Sequence, residues 1–141
     1  MRERYKTASA VMLFLLRERN GRQEILLQKR RNTGYAEAGE TMRAAMAREA
    51  AEELGLAFSP ADVRFATLTH KTSPDGTTYV NVFFCADCGE AKPQICEPEK
   101  CAELRWFPLD ALPETLLADR RAALENFRAG VPYSEFGWPA G

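Results

Sequence analysis

The chain has 141 residues, with 19 Lys and Arg against 20 Asp and Glu and a formal net charge of −1. That length suits one domain with a proper hydrophobic core, and the charge balance excludes a global basic field of the kind that gathers polymeric nucleic acid. The longest apolar run, Val11 to Leu16, is far too short to span a bilayer, and no long apolar region follows the charged Met1–Lys6 segment as in a secretory signal, so a cytoplasmic protein without membrane contact is expected.

Ser9–Leu16 reads as a strand, Asn20-Gly21 as a tight hairpin turn, and Glu24–Gln28 as the returning strand. Lys29, Arg30 and Arg31 follow as a basic cluster. It is either a solvated strand end or a phosphate contact, since Arg30 and Arg31 can each grip phosphate oxygens with a planar fork. A helix is predicted from Thr41 to Leu54, with Thr41 as its cap and Gly55 as its stop. Met42, Ala45, Met46, Ala50 and Leu54 give it a mostly small apolar face suited to close packing on a sheet. Val63–His70 and Thr77–Cys85 are predicted strands around the turn residues Ser73–Gly76. In the second of these, Val80, Val82 and Phe84 alternate against Tyr79, Asn81 and Phe83. Ala102–Phe107 is a further strand, Pro108–Pro113 a turn-like connection, and Glu114–Arg128 a second helix stopped by Gly130. No linker, repeat or low-complexity tract interrupts the chain, so residues 1–141 read as a single domain. Strands alternating with two separated helices predict an α+β fold or an α/β/α sandwich on a mixed sheet.

Cys85, Cys88, Cys96 and Cys101 have the spacing C-x2-C-x7-C-x4-C. Four thiolates can close a tetrahedral zinc site. The opposing reading, four reduced and unconnected thiols, is preferred. Cys85 ends a strand pattern, the second pair lacks a tight knuckle, and a disulfide is not expected in a reducing compartment.

The chemistry is concentrated elsewhere. Glu49, Glu52 and Glu53 stand at i, i+3 and i+4, so a helix puts all three on one face. Like charges at that spacing cost an isolated helix a few tenths of a kcal/mol per pair. A chain that accepts the cost has a use for the charge, and carboxylate oxygens suit Mg²⁺ or Mn²⁺ bridging to substrate phosphates. The plain alternative is a solvated surface helix rich in Glu and Ala.

Gly34, Glu40, Arg48, Glu49, Glu52, Glu53, Gly55 and Leu56 together resemble the Nudix box, G-x5-E-x7-R-E-U-x-E-E-x-G-U with U a bulky aliphatic residue. Ala50, small where the family prefers Ile, Leu or Val, is a minor departure. The resemblance implies a Nudix-type α/β/α sandwich and hydrolysis of a nucleoside diphosphate linked to some group X, with Mg²⁺ as cofactor and Mn²⁺ as substitute. It implies that Glu52 and Glu53 bind metal, with Glu53 the firmest ligand, and that Glu49 joins them or orients water. Arg48 holds carboxylates in place, and Glu40 supports the loop–helix junction and, as a possible additional acid, a second metal or water. A further acid from a later loop is expected, with Glu97 and Glu99 the candidates and Glu103 third. His70, the one histidine, is a surface residue or a substrate contact, as are Arg30 and Arg31. Tyr79, Phe83 and Trp138 are candidate base-stacking residues that their positions favour as core, and Trp106 is assigned to packing.

Upstream of the box the chain is about ten residues shorter than the family pattern, which places a strand ending near Pro-Gly-Gly there. Either the loop is truly short and Gly34 is the box glycine, or residues are absent and the backbone breaks at Tyr35–Ala36. The break is the expectation. The leading function is a pyrophosphohydrolase of small nucleotides, including damaged nucleoside triphosphates, working as a monomer or homodimer. ADP-ribose or nucleotide-sugar hydrolysis, a non-catalytic nucleotide-sensing module and a zinc-stabilised interaction domain are the alternatives.

Overall fold

The computed structural model describes residues 7–29 and 34–139. Seven strands form one mixed sheet: β1 (Ala8–Arg19), β2 (Arg22–Lys29), β3 (Gly34–Tyr35), β4 (Arg64–Thr72), β5 (Thr78–Asp87), β6 (Glu103–Pro108) and β7 (Tyr133–Phe136). Helices α1 (Met42–Leu54) and α2 (Ala118–Arg128) cover its two faces. The strand order is β6-β2-β1-β5-β4-β7, with β3 paired to β1 beside β2. The β1–β5 and β4–β7 pairs are parallel and the rest antiparallel. The expected sandwich is therefore present.

The unbroken apolar run in β1 follows from its central place. A strand covered on both faces needs apolar residues in both phases of the pleat. Val11 and Leu15 pack on the α1 side with Ala45, Met46 and Leu54. Ala10, Met12, Phe14 and Leu16 pack on the α2 side with Ala123 and Leu124. Asn20 at φ 54° and Gly21 at φ 76° turn the β1–β2 hairpin with the left-handed pair such a loop requires.

Thr41 caps α1 by accepting the Ala44 amide at 3.0 Å. Gly55, left-handed at φ 69°, ends it by returning its amide to the Ala51 carbonyl at 3.1 Å. Ala50 is 1 % exposed. The small residue lets the helix lie close on the sheet where the family's bulkier one is absent.

Three readings of the sequence need correction. The described chain runs without interruption from Gly34 through the box, so the break at Tyr35–Ala36 is not there. Instead Gly34 and Tyr35 form β3, opposite Val11 and Ala10. The second helix begins at Ala118 rather than Glu114. The Pro113 carbonyl takes the Leu116 amide and the Arg121 guanidinium at 2.7 Å, which closes a turn where the helix would have started. The segment Tyr133–Phe136, given no element in the sequence reading, is a strand parallel to β4. The four thiols do not converge. Cys85 and Cys88 lie in opposite layers of the core, Cys96 is exposed, and Cys101 turns to the Glu103 carbonyl.

Candidate active site

Arg48 organises the box. Its Nε and Nη2 donate to the two oxygens of Glu40 at 2.9 and 3.0 Å, a bidentate fork. Its Nη1 donates to Glu49 at 3.0 Å and to Glu52 at 3.3 Å. Nη2 also donates to the Tyr35 carbonyl at 3.0 Å. One guanidinium thus ties the start of the loop, its end and two turns of α1 together. Glu40 in addition accepts the Glu37 amide at 3.0 Å. The Arg48 hydrogen bond, then the Glu37 amide, hold the Glu40 carboxyl below the usual carboxylate range. The Glu40 carboxylate, with burial opposing it, in turn raises the pKa of the already cationic Arg48.

Glu49 is packed rather than displayed. A Cβ added at Gly34 would lie 2.6 Å from Glu49 Cγ and 2.7 Å from Cδ. Only glycine lets β3 approach that closely, which gives Gly34 a physical reason to be a glycine. Glu52 is half exposed and leans toward Arg48. Glu53, on the buried side of the helix, is 8 % exposed. It has no ion pair among the described residues; its neighbours are Glu49, Glu97 and Gln28.

Glu97 reaches this place because its loop is hydrogen-bonded to the end of α1. The Gln94 amide donates to Leu54 at 3.0 Å and the Cys96 amide to Glu53 at 3.1 Å, both to carbonyls. These bonds satisfy acceptors that a helix end leaves open. Glu99 and Glu103 are exposed. His70 lies against Trp138 in a tilted ring contact, centroids 4.7 Å apart, and makes no hydrogen bond or ion pair with a box residue among those described. Phe83 is core and stacks on Phe14. Trp106 packs against the α1-side core with Arg17 over its ring at 4.1 Å. Arg30 and Arg31 lie outside the described residues.

The helix glutamates do not yet share one point. Among the described residues no three acid, imidazole or thiolate groups close as a ligand set. Arg48 draws Glu49 and Glu52 to itself, while Glu53 faces two like charges from inside the fold. The donors are nonetheless hard carboxylate oxygens crowded without a compensating cation at Glu53, which is the chemistry a divalent ion would satisfy. A shallow depression of about 230 Å³ at the β1–β2 hairpin, lined by Arg22, Asp110 and Arg128 among others, contains none of these carboxylates.

The model of the NUDIX domain matches residues 6–127. The chain belongs to the Nudix family. It is a Nudix hydrolase, an enzyme acting on phosphoric anhydride bonds. A MutT NUDIX hydrolase from Burkholderia pseudomallei is 28 % identical, with a TM-score of 0.70 over 86 % of this chain and 98 % of that one. The NUDIX domain of Shewanella oneidensis NrtR, solved with ADP ribose, shares the fold at TM-score 0.71 and 16 % identity, covering 90 % of each chain. A C. elegans Ap4A hydrolase shares it at TM-score 0.66 and 17 % identity, over 89 % of this chain and 98 % of that one.

In this Nudix site the crowding of acids has a measurable consequence. Burial, then the Glu49 charge and hydrogen bond and the Glu97 charge, push Glu53 up to about 7 from an ordinary 4.5, with Gln28 opposing. Between those two values the folded chain keeps a proton that the unfolded chain has released. Stability therefore falls as pH rises through that window and levels off above it. Denaturant unfolding in chelator at about pH 5 and about pH 8 is expected to show a loss of roughly 1–3 kcal/mol from this group. Glu53→Gln removes that loss; a variant with the same pH slope as the parent would refute the assignment.

Proposed function

We propose that the chain, acting as a single Nudix domain, is a Mg²⁺-dependent pyrophosphohydrolase of small nucleotides, with Mn²⁺ able to substitute. Its substrates are nucleoside diphosphates linked to X, nucleoside triphosphates and their damaged forms among them. The crowding of Glu53 against Glu49 and Glu97 on the box helix carries the reading. Buried like charges of this kind are costly unless a cation is brought to them.

Glu53, Glu49 and Glu97 would hold the ion, with Glu52 at the exposed side. A bound divalent ion neutralises phosphate charge and makes its water more acidic. Glu49 would join it or orient the attacking water, while Arg48 holds Glu40 and the Tyr35 carbonyl. Gly34 lets the backbone of β3 form one wall of the site.

The test is a hydrolysis screen with Mg²⁺, reading both phosphate and pyrophosphate release. Its arms are the nucleoside triphosphates and oxidised forms of them, ADP-ribose and nucleotide sugars. Release of pyrophosphate from a triphosphate, abolished by chelator and restored by Mg²⁺, is expected. Turnover confined to ADP-ribose or a nucleotide sugar would change the substrate class. Binding without turnover of any of them would make the chain a nucleotide-sensing module instead.

A further inference from the structure

Strand β7 ends the sheet on one side. It pairs with β4, and among the described residues no strand lies along its other edge. The Leu68 amide donates to the Pro132 carbonyl at 2.9 Å. Backbone groups alternate in direction along a strand, so in this parallel register Pro132, Ser134 and Phe136 turn theirs toward β4. The amides and carbonyls of Tyr133 and Glu135 then point outward. Gly137, left-handed at φ 84°, turns the chain back against Thr72. Trp138 therefore lies on the sheet face, its indole donating to the His70 carbonyl at 2.8 Å, and leaves the edge open.

Apolar surface is left at the same edge. Of the seven large apolar side chains that stay exposed among the described residues, four belong to β4, β7 or the residues flanking β7: Phe65, Val131, Tyr133 and Trp138. Leu68 pairs with Val82 of the α1-side core and with Tyr133, and His70 pairs with Val80 and with Glu135. Tyr133 and Glu135 thus share the α1 face, where the phenol donates to Glu135 Oε2 at 2.6 Å. Sheets protect a free edge with lysines, prolines or bulges. Tyr133–Phe136 carries none of these, and its one charge has a phenol as partner.

We propose that β7 is the docking edge for a second copy of this chain, paired antiparallel about a two-fold axis that passes beside Ser134. Outward groups pair only with outward groups, and centring the ladder on Ser134 uses both residues that have them. Tyr133 then meets the second copy's Glu135, Ser134 meets its own counterpart, and Glu135 meets the second copy's Tyr133. At each Tyr133–Glu135 pair both backbone hydrogen bonds are exchanged, as in an antiparallel ladder. Each phenol faces a carboxylate directly, while the two Glu135 groups meet only on the diagonal. The edge is therefore complementary to itself, which an isologous two-fold interface requires and an unrelated strand does not supply. The α1-side row Val80, His70, Glu135 continues through the second copy's Tyr133, Leu68 and Val82, so one sheet runs across both copies. An edge of four residues with Val131 and Trp138 at its flanks is at the small end of specific interfaces, so the dimer is a weak, reversible one.

Sedimentation of the full chain over about 10–500 µM is expected to show a monomer–dimer equilibrium, as suits an interface of this size. Tyr133→Glu places a carboxylate opposite Glu135 at both ends of the ladder and is expected to weaken the dimer about tenfold or more. Adding Glu135→Lys to that variant restores opposite charges and is expected to recover the dimer. Glu135→Pro removes an outward amide, a change that edge strands tolerate, so a monomer with nearly the parent's Tm is expected. The register is read by cross-linking in a Cys96→Ser background. Ser134→Cys sets two Cα atoms about 4.5 Å apart across the axis, within reach of a disulfide, and is expected to give a reducible dimer on mild oxidation; Phe136→Cys is expected to give none. A monomer at every concentration, assembly beyond two copies, a dimer indifferent to Tyr133→Glu, or cross-linking through Phe136→Cys rather than Ser134→Cys overturns the proposal.

Discussion

Glu53→Gln is expected to lower turnover by about 10²–10⁴-fold, the kinetic equivalent of the several kcal/mol that a bound divalent ion contributes to phosphate chemistry. The fold is expected to survive and to gain stability above neutral pH in the absence of metal. The physical reason lies in the environment of that carboxylate. It is buried, has no ion pair among the described residues, and faces Glu49 and Glu97. A neutral amide of the same shape removes the repulsion while losing a strong anionic oxygen donor. Glu49→Gln is expected to lose turnover on the same scale but with the opposite effect on stability, because Glu49 accepts from Arg48 at 3.0 Å in a largely buried position. The pair of variants thus separates two roles that a simple activity loss would merge. Kinetics across a Mg²⁺ titration, together with denaturant midpoints at about pH 8, provide the measurement. Near-normal turnover in both variants would sink the metal assignment.

Removing Arg48 is expected to have the largest effect on the structure of the site. Arg48→Ala leaves the Glu40, Glu49 and Glu52 carboxylates without the guanidinium that they share and frees the Tyr35 carbonyl. Truncating one partner of a well-buried ion pair costs about 3–5 kcal/mol. The Arg48 side chain is 25 % exposed and Glu52 51 % exposed, so solvent screening brings the expected cost down to roughly 2–3 kcal/mol. Arg48→Lys recovers only part of it, since one ammonium cannot make the fork to Glu40 while reaching Glu49 and Tyr35. Activity is expected to fall in both variants with kcat more affected than KM, because Arg48 holds groups that act on the substrate rather than the substrate itself. Unfolding free energies and steady-state kinetics on Arg48→Ala and Arg48→Lys measure both effects. A lysine variant that behaves like the parent would mean that charge alone, not the fork, is what the site uses.

Helix α1 could be read from its sequence because its signals are local. The cap Thr41, the stop Gly55, the small apolar face and the spacing of Glu49, Glu52 and Glu53 all follow from 3.6-residue periodicity and terminal geometry. The strands were legible for a similar reason. Apolar runs and alternation mark them, and the Asn20-Gly21 pair marks the hairpin between the first two. The start of α2 was misplaced because Pro113 and Arg121 close a turn through a contact eight residues apart. Strand β7 has only four residues, and much of what holds it is distant. The Leu68 amide donates to Pro132, Thr67 to Val131, and the Trp138 indole to His70. A Cβ at Gly137 would strike the Thr72 carbonyl, so even that glycine is explained by a strand that lies far from it in the chain.

By itself the sequence determined that a set of box acids would lie on one helix behind a glycine-containing loop, since spacing along a helix is a property of the backbone. Only the tertiary structure decided what each acid experiences. Gly34 presses on Glu49, the Arg48 fork takes Glu40, and the Cys88–Cys101 loop docks on the end of α1 and brings Glu97, not Glu99, to Glu53. Register across three strands likewise set Tyr35 and Asn81 either side of Ala10, although they lie 46 positions apart in the chain. Burial and long-range pairing set the charge and reach of these groups, and both arise from contacts between segments that no local pattern specifies.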